Sequence, residues 1–192
     1  MSANGRKSIF ITGAASGIGL ACAKRFAKEG WFVGLSDIDK AGLKAALLAI
    51  GPENGSIHHL DVRDREAWEN AIGEFGRETG GKADALLNNA GVARFGMLNE
   101  MSDADCDIQI DINIKGVING ARAGLPLLKA AGGRLINVAS CAGNIVCHPG
   151  HRLNEDVVAD PAPFTVGNLS INIAVSKTTA PISISIRLYL IK

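Results

Sequence analysis

Residues 12–19 of the chain read Thr-Gly-Ala-Ala-Ser-Gly-Ile-Gly, and this stretch decides the fold. It follows an apolar run of strand length (7–12) and opens a segment in which apolar residues recur at helical spacing (17–29). Glycines in such a turn allow a sharp bend, close approach of the backbone to a phosphate, and close packing of helix on strand. The helix start also offers free N–H groups and a partial positive charge to a pyrophosphate. A merely tight turn is the alternative, but the placement between strand and helix favours a dinucleotide-binding turn formed by Gly13, Ser16, Gly17, Ile18 and Gly19.

The first 140 residues alternate between short apolar runs and longer segments of helical period. Further strands are predicted at 31–36, 56–60, 83–87 and 134–138. Helices are predicted at 39–50 and from about Asp64, which is a good N-cap residue. This βαβαβαβαβ order predicts an α/β fold: a doubly wound parallel sheet with right-handed crossovers and helices on both faces.

The segment 106–125 fits two periods. Its isoleucines alternate as in a strand between Ile108 and Ile114, but Cys106, Ile110, Val117 and Leu125 also belong to one helical stripe. A capping signal, Ser102 followed by Asp105, lies just upstream, and the alternation of elements requires a crossover here. We therefore predict a helix from about Asp103, disturbed near Pro126.

Asp37 ends the second predicted strand, eighteen residues after Gly19. A carboxylate at this place can accept hydrogen bonds from the two ribose hydroxyls of an adenosine and repels a 2′-phosphate. No arginine stands beside it in the sequence. Asp37 therefore predicts NAD as the cofactor, and a solvated aspartate at a strand end is the alternative.

The composition excludes several classes of protein. The chain has 192 residues, with 47% hydrophobic and 20% charged residues, which is typical of a folded domain and not of a disordered chain. Its net charge of +1 offers no basic excess for nucleic acid, and no apolar stretch is long enough to span a membrane. The four cysteines form no C-x-x-C pair. Glycines interrupt the only run that resembles a signal peptide, so we expect a cytoplasmic protein with reduced thiols.

Five motifs in order resemble the short-chain dehydrogenase/reductase family. They are the glycine loop, Asp61-Val62, Asn88-Asn89-Ala90-Gly91, Asn113-Ile114-Lys115-Gly116, and the strand 134–140 that ends in Ser140. The resemblance covers residues 5–150 and implies a Rossmann fold with strand order 3-2-1-4-5. It also implies a dinucleotide-binding domain at 1–150 and a divergent or truncated part of the same domain at 151–192.

The family pattern assigns roles to these residues. Cofactor contacts are implied for Asp61, Val62, Asn88, Asn89, Ala90 and Gly91. Asn113 corresponds to the active-site asparagine that holds a relay water, and Ser140 to the catalytic serine. A structural asparagine and an ordinary strand-end serine are the respective alternatives. Family members usually pair through their central helices, so the resemblance also implies a homo-oligomer, although the glycines at 116, 120 and 124 would equally suit packing on the chain's own sheet.

The sequence departs from the family after about His151. The family tyrosine is expected near Leu153 and Asn154, followed four residues later by a lysine that lowers the tyrosine pKa. Neither residue can exchange a proton, and Tyr189 is the only tyrosine in the chain. The segment 173–177 resembles Tyr-x-x-Ser-Lys with isoleucine in place of tyrosine, which makes Lys177 a candidate catalytic lysine beside the commoner alternative of a surface lysine.

The last residues alternate apolar and polar side chains over 182–190, which predicts a one-faced strand at an edge or an exposed, aggregation-prone position. A truncation, a shifted reading frame or an incompletely assigned chain would each produce such a tail. Upstream, Cys141, Cys147, His148 and His151 crowd together, but their spacing fits no metal pattern, so no metal site is predicted.

The sequence is consistent with two functions. The first is an NAD(H)-dependent oxidoreductase that transfers hydride between the nicotinamide and a small alcohol or carbonyl substrate. In it Ser140 would polarise the substrate oxygen and Asn113 would support the proton relay. The second is a catalytically impaired dinucleotide-binding relative that lacks the active-site tyrosine.

Overall fold

The computed structural model describes residues 5–94 and 100–139, which form one five-stranded parallel sheet. The strands are β1 (Ser8–Thr12), β2 (Phe32–Asp37), β3 (Gly55–His59), β4 (Ala85–Asn88) and β5 (Arg134–Asn137). Their order across the sheet is β3-β2-β1-β4-β5. The predicted α/β class, the parallel sheet and the order 3-2-1-4-5 are confirmed.

Helices connect the strands in the predicted alternation. They are α1 (Gly17–Lys28), α2 (Lys40–Ile50), α3 (Arg65–Glu78), α4 (Asp103–Ile110) and α5 (Val117–Ala131), with a short 3₁₀ turn at Pro52–Asn54. The side chains of Asp39, Asp64 and Ser102 accept hydrogen bonds from backbone N–H groups in the first turns of α2, α3 and α4. Three helix starts are therefore fixed by their own N-cap residues.

The predicted helix from Asp103 is present, but the predicted disturbance near Pro126 is wrong. The irregularity is a π-helical turn at Asp111–Gly116, between α4 and α5, while Pro126 lies inside α5. A proline inside a helix removes one backbone hydrogen bond. The buried face of α5, which includes Val117 and Leu128, is packed on the sheet and outweighs that loss.

The central strands β1, β2 and β4 are buried on both faces, because helices cover the alternate residues that point to opposite sides of the sheet. On one side Phe10, Phe32 and Leu86 pack with residues of α3. On the other side Ile9 and Leu35 pack with residues of α1 and α2. This arrangement leaves the carboxyl ends of the strands free to carry a site.

The glycines of the 116–124 stripe face other parts of the same chain, namely β4, α3 and the residue Val62 after β3. A Cβ atom at Gly116 would lie 2.8 Å from Val62 Cγ2, and one at Gly120 would lie 2.8 Å from the Trp68 ring. A Cβ at Gly124 would collide with Leu86. The spacing therefore serves close packing within the chain, as the alternative interpretation expected.

Candidate functional site

The turn between β1 and α1 uses its three glycines in different ways. Gly13 has φ +66°, and a Cβ atom there would lie 2.9 Å from Asn89 Nδ2. Gly17 has φ +52°, and a Cβ there would meet no atom of the described residues within 4 Å. At Gly19 a Cβ would collide with the carbonyl oxygen of Gly13. Gly13 and Gly19 thus permit the close packing of the turn, and the open space lies at Gly17.

The N-terminus of α1 differs from those of α2, α3 and α4 because no side chain in the described part of the chain caps it. Ser16 is the N-cap residue, but its hydroxyl makes no capping hydrogen bond, and the first turn holds no acidic residue. Ser16 and Gly17 are exposed, and Ile18 is 62% exposed. Unpaired N–H groups at the positive end of a helix fit a bound pyrophosphate, so the residues present suit a dinucleotide.

Asp37 ties the glycine turn to the end of β2. Its Oδ2 accepts a hydrogen bond from the Ala15 N–H (3.1 Å), and its Oδ1 accepts one from the Asp39 N–H (3.1 Å). Each carboxylate oxygen can accept a further hydrogen bond. The next residue, Ile38, is 65% exposed.

Asp61 and Val62 follow β3. The Arg63 guanidinium donates to the Asp61 carboxylate (Nε to Oδ1 and to Oδ2, 3.0 Å each), and this pairing holds the pKa of Asp61 below its usual range. Val62 is buried, and its carbonyl accepts hydrogen bonds from Trp68 Nε1 (3.0 Å) and Asn119 Nδ2 (3.2 Å). Hydrogen bonds therefore hold these two predicted site residues in place just beyond the carboxyl end of β3.

The end of β4 is attached to the glycine turn through Thr12. The Thr12 hydroxyl accepts hydrogen bonds from the N–H groups of Asn89 and Ala90, at 3.0 Å each. The Asn89 amide in turn donates to the Thr12 carbonyl (2.9 Å) and to the Gly13 carbonyl (3.3 Å). Thr12 thus joins the glycine turn to the Asn88–Gly91 motif, a role that its place inside the glycine motif did not reveal.

Asn88 points the other way, toward β5. Its Nδ2 donates to Asn137 Oδ1 at 2.8 Å and to the Val117 carbonyl at 3.4 Å. The Asn88 side chain is buried, so these bonds connect β4, β5 and α5 beneath the carboxyl edge of the sheet. Asn88 therefore has a structural position, while Asn89 and Ala90 lie at the turn.

Asn113 lies in the π-helical turn and is half-buried. Its Nδ2 donates to the Val92 carbonyl (2.8 Å), and its Oδ1 accepts from the Val92 N–H (2.9 Å). Gly91 lies beneath this pair, since a Cβ there would be 3.2 Å from Asn113 Oδ1. Asn113 therefore holds the segment that follows the Asn88–Gly91 motif, and one N–H of its amide remains for a further acceptor.

The structure brings together most of the predicted site residues that it describes. The glycine turn, Asp37, Asn89, Ala90 and Asn113 are linked through the carboxyl ends of neighbouring strands. Ser140, Lys177 and the tail residues discussed above lie outside the described residues. After β5, the Val138 N–H donates a hydrogen bond to the Asn88 carbonyl at 2.9 Å, which holds the chain two residues before Ser140.

Known proteins share these features. A sequence model of the short chain dehydrogenases matches residues 7–149. The chain belongs to the short-chain dehydrogenase family. Oxidoreductase UcpA of Salmonella typhimurium is 40% identical over 151 residues, which cover 75% of this chain and 55% of that protein. The chain thus spans about half the length of the curated relatives that it matches.

Two solved structures show the same fold. The 3-ketoacyl-(acyl-carrier-protein) reductase from Brucella melitensis, complexed with NADH, matches with a TM-score of 0.67 at 31% identity. The match covers 71% of the present chain and 58% of the reductase chain. An alcohol dehydrogenase from the archaeon Thermococcus sibiricus, complexed with 5-hydroxy-NADP, matches with a TM-score of 0.70 at 29% identity. This match covers 74% of the present chain and 61% of the archaeal one. These neighbours hold different dinucleotides.

Proposed function

We propose that the chain is an NAD(H)-dependent oxidoreductase acting on a small alcohol or carbonyl compound. The observation that carries this proposal is the uncapped N-terminus of α1 beside the anchored carboxylate of Asp37. The helix start suits a pyrophosphate, and the carboxylate suits ribose hydroxyls. The open space at Gly17 leaves room for a phosphate close to the backbone.

The choice of NAD over NADP rests on charge. A 2′-phosphate would lie against the Asp37 carboxylate, and like charges at short range repel. The guanidinium of Arg63, which follows the neighbouring strand β3, is paired with Asp61, and that carboxylate compensates its charge. Since the structural neighbours hold both dinucleotides, Asp37 is the residue of this chain that decides between them.

The chain's own residues would bind and orient the reactants. The bound cofactor supplies or accepts the hydride. Asn113 fixes the segment after Gly91 through Val92 and keeps one amide N–H for a relay water. By family resemblance, Ser140 donates a hydrogen bond to the substrate oxygen, and Lys177 is the candidate for the lysine. The family also suggests a homo-oligomer, and the glycines that interrupt the signal-peptide-like run support a cytoplasmic location. No helix among residues 5–94 and 100–139 has the length and apolar character needed to cross a bilayer.

The second candidate is a dinucleotide-binding relative with impaired catalysis. The observation that favours it is the presence of Leu153 and Asn154 where the family places its tyrosine. A positioned proton donor is worth about 100- to 10,000-fold in rate. We therefore expect this chain to bind NAD and to turn over carbonyl substrates slowly.

One experiment separates the two candidates. Purified protein is titrated with NADH by calorimetry, and NADH formation from NAD is then followed over a panel of alcohols. Saturable binding with measurable turnover supports the oxidoreductase, and binding without turnover supports the impaired relative. Absence of binding by folded protein contradicts both.

A further inference from the structure

A second group of polar side chains lies away from the cofactor motifs, where α3 covers the edge strand β3. Ser56 Oγ is 2.8 Å from His58 Nε2, and His58 Nδ1 is 3.3 Å from Glu74 Oε2. Ser56 and His58 are two residues apart on β3 and share one face of the strand. Glu74 reaches them from α3. None of the three belongs to the glycine turn, the strand ends or the π-helical turn described above.

The shorter of the two carboxylate contacts, Glu74 to Nδ1 at 3.3 Å against Glu78 to Nε2 at 3.8 Å, favours the His58 tautomer with its proton on Nδ1. An ionised carboxylate can only accept a hydrogen bond, so the Nδ1–H must donate to Glu74. The Nε2 of the neutral ring is then an acceptor, and the hydroxyl of Ser56 donates to it. A hydroxyl, an imidazole that accepts its proton, and a carboxylate that orients the imidazole form the arrangement that activates a serine nucleophile.

The surroundings of His58 keep its ring available as a base. The side chain is buried between the rings of Phe10 and Phe75, whose centroids lie 5.3 Å and 6.0 Å away. Burial lowers the pKa of His58, although Glu78 and Glu74 act in the opposite direction. The ring is therefore neutral near pH 7. Once it takes a proton, the same two carboxylates stabilise the imidazolium, with Glu78 Oε2 3.8 Å from Nε2.

The cluster is accessible from the α3 side. Ser56 is half-buried, and the side chain of Glu74 is 55% exposed. The His58 side chain is 2% exposed and lies between aromatic rings, so Ser56 and Glu74 carry the solvent-facing surface of the cluster while the imidazole is shielded.

We propose that Ser56 is a nucleophilic serine with His58 as its general base and Glu74 as the residue that positions His58, and that it accepts acyl groups from activated esters of small carboxylic acids. The Ser56 oxygen attacks the carbonyl carbon of the ester while its proton passes to His58 Nε2. The bond from that carbon to the leaving oxygen then breaks, and the leaving alkoxide takes the proton from the imidazolium. The products are the acylated serine and a free alcohol, without a change of oxidation state.

The test uses the full chain and 4-nitrophenyl acetate. Release of 4-nitrophenolate is followed by absorbance, and the acetylated residue is identified by peptide mass mapping. We expect one acetyl group per chain, located on Ser56, and no acetylation at this place in Ser56→Ala. Since a positioned base contributes about 100- to 10,000-fold, His58→Gln should lower the rate at Ser56 by about 100-fold or more. Labelling of Ser56 at a rate equal to that of the exposed Ser102 would overturn the proposal.

Because His58→Gln changes a buried residue and could unfold the protein, a second pair of variants tests the cluster at exposed positions. Glu74→Gln alters an exposed side chain, and Glu69→Gln makes the same change on α3 at an exposed position with no contact to His58 among the described residues. We expect a severalfold slower acetylation in Glu74→Gln only. The rate in the unaltered chain should rise as His58 loses its proton, with a midpoint below pH 6.5, and then level off. Equal rates in both glutamate variants, or a rate that climbs steadily to pH 9, would contradict the assignment.

Discussion

Replacing Asp37 with asparagine removes one negative charge and keeps the shape of the side chain. In the structure this carboxylate is fixed by the N–H groups of Ala15 and Asp39 at 3.1 Å each, so it cannot turn away from a bound nucleotide without breaking those bonds. Two unit charges 4 Å apart interact by about 1 kcal/mol in water and about 4 kcal/mol at the effective dielectric of a protein surface. We therefore expect the unaltered chain to prefer NADH over NADPH by about fivefold to several hundredfold.

The preference is measured as the ratio of two dissociation constants from calorimetric titrations with NADH and NADPH. Asp37→Asn should reduce the ratio toward one, mainly by strengthening the binding of NADPH. Asp39→Asn is the matched control, because it removes the same charge two residues away and asparagine still caps α2. Equal affinity for the two dinucleotides in the unaltered chain, or the same change of ratio in both variants, would refute the role of Asp37.

Three further predictions concern the turn and the buried polar groups. Gly17→Val should abolish NADH binding in calorimetry, because the side chain fills the open space next to the helix start. The left-handed backbone costs a β-branched residue at least about 1–2 kcal/mol, which a folded domain can tolerate, so circular dichroism should still show a folded chain; undiminished binding would count against the turn assignment. Thr12→Val should lower the free energy of unfolding by about 1–3 kcal/mol in urea titrations, since the Asn89 and Ala90 N–H groups lose their acceptor. Thr12→Ser keeps the hydroxyl and loses only a buried methyl group, so it should cost less, about 0.8 kcal/mol; an equal loss in the two variants would contradict the role of the hydroxyl. Because burial lowers the pKa of His58 in the folded state, the unfolded state binds the extra proton below about pH 6.5. Stability should therefore be complete above that pH and fall below it by up to about 1.4 kcal/mol per unit; His58→Phe should remove this slope, and an unchanged slope would show that other groups cause it.

The sequence allowed the sheet and its helices to be predicted because their signals are local. The glycine turn lies between an apolar run and a helical stripe, and Asp64 caps α3 as its residue type suggests. The ambiguous segment after Asp103 was predicted as helical because a parallel sheet needs a crossover there. Its π-helical turn at Asp111–Gly116 could not be predicted, because the apolar residues around Asn113 also fit the spacing of an ordinary α-helix.

Contacts between distant residues account for what sequence reasoning missed. The bond from Asp37 to Ala15 and the bonds from Thr12 to the Asn89 segment join motifs that are 22 and 77 residues apart. The direction of the 116–124 glycine stripe also depends on where α5 lies against Val62 and Leu86. The residue pattern within a single strand or helix contains no information on these long-range pairings. The candidate residues could therefore be predicted from the sequence, whereas their hydrogen-bond partners could not.

Direct titration of the 192-residue chain with NADH tests the central claim that the turn between β1 and α1 holds a nicotinamide dinucleotide. The account predicts saturable binding of one NADH per chain, lost in Gly17→Val and retained in Ser56→Ala, which leaves the cofactor motifs untouched. A folded chain that shows no saturable binding at millimolar NADH, or that binds equally well in Gly17→Val, would contradict it.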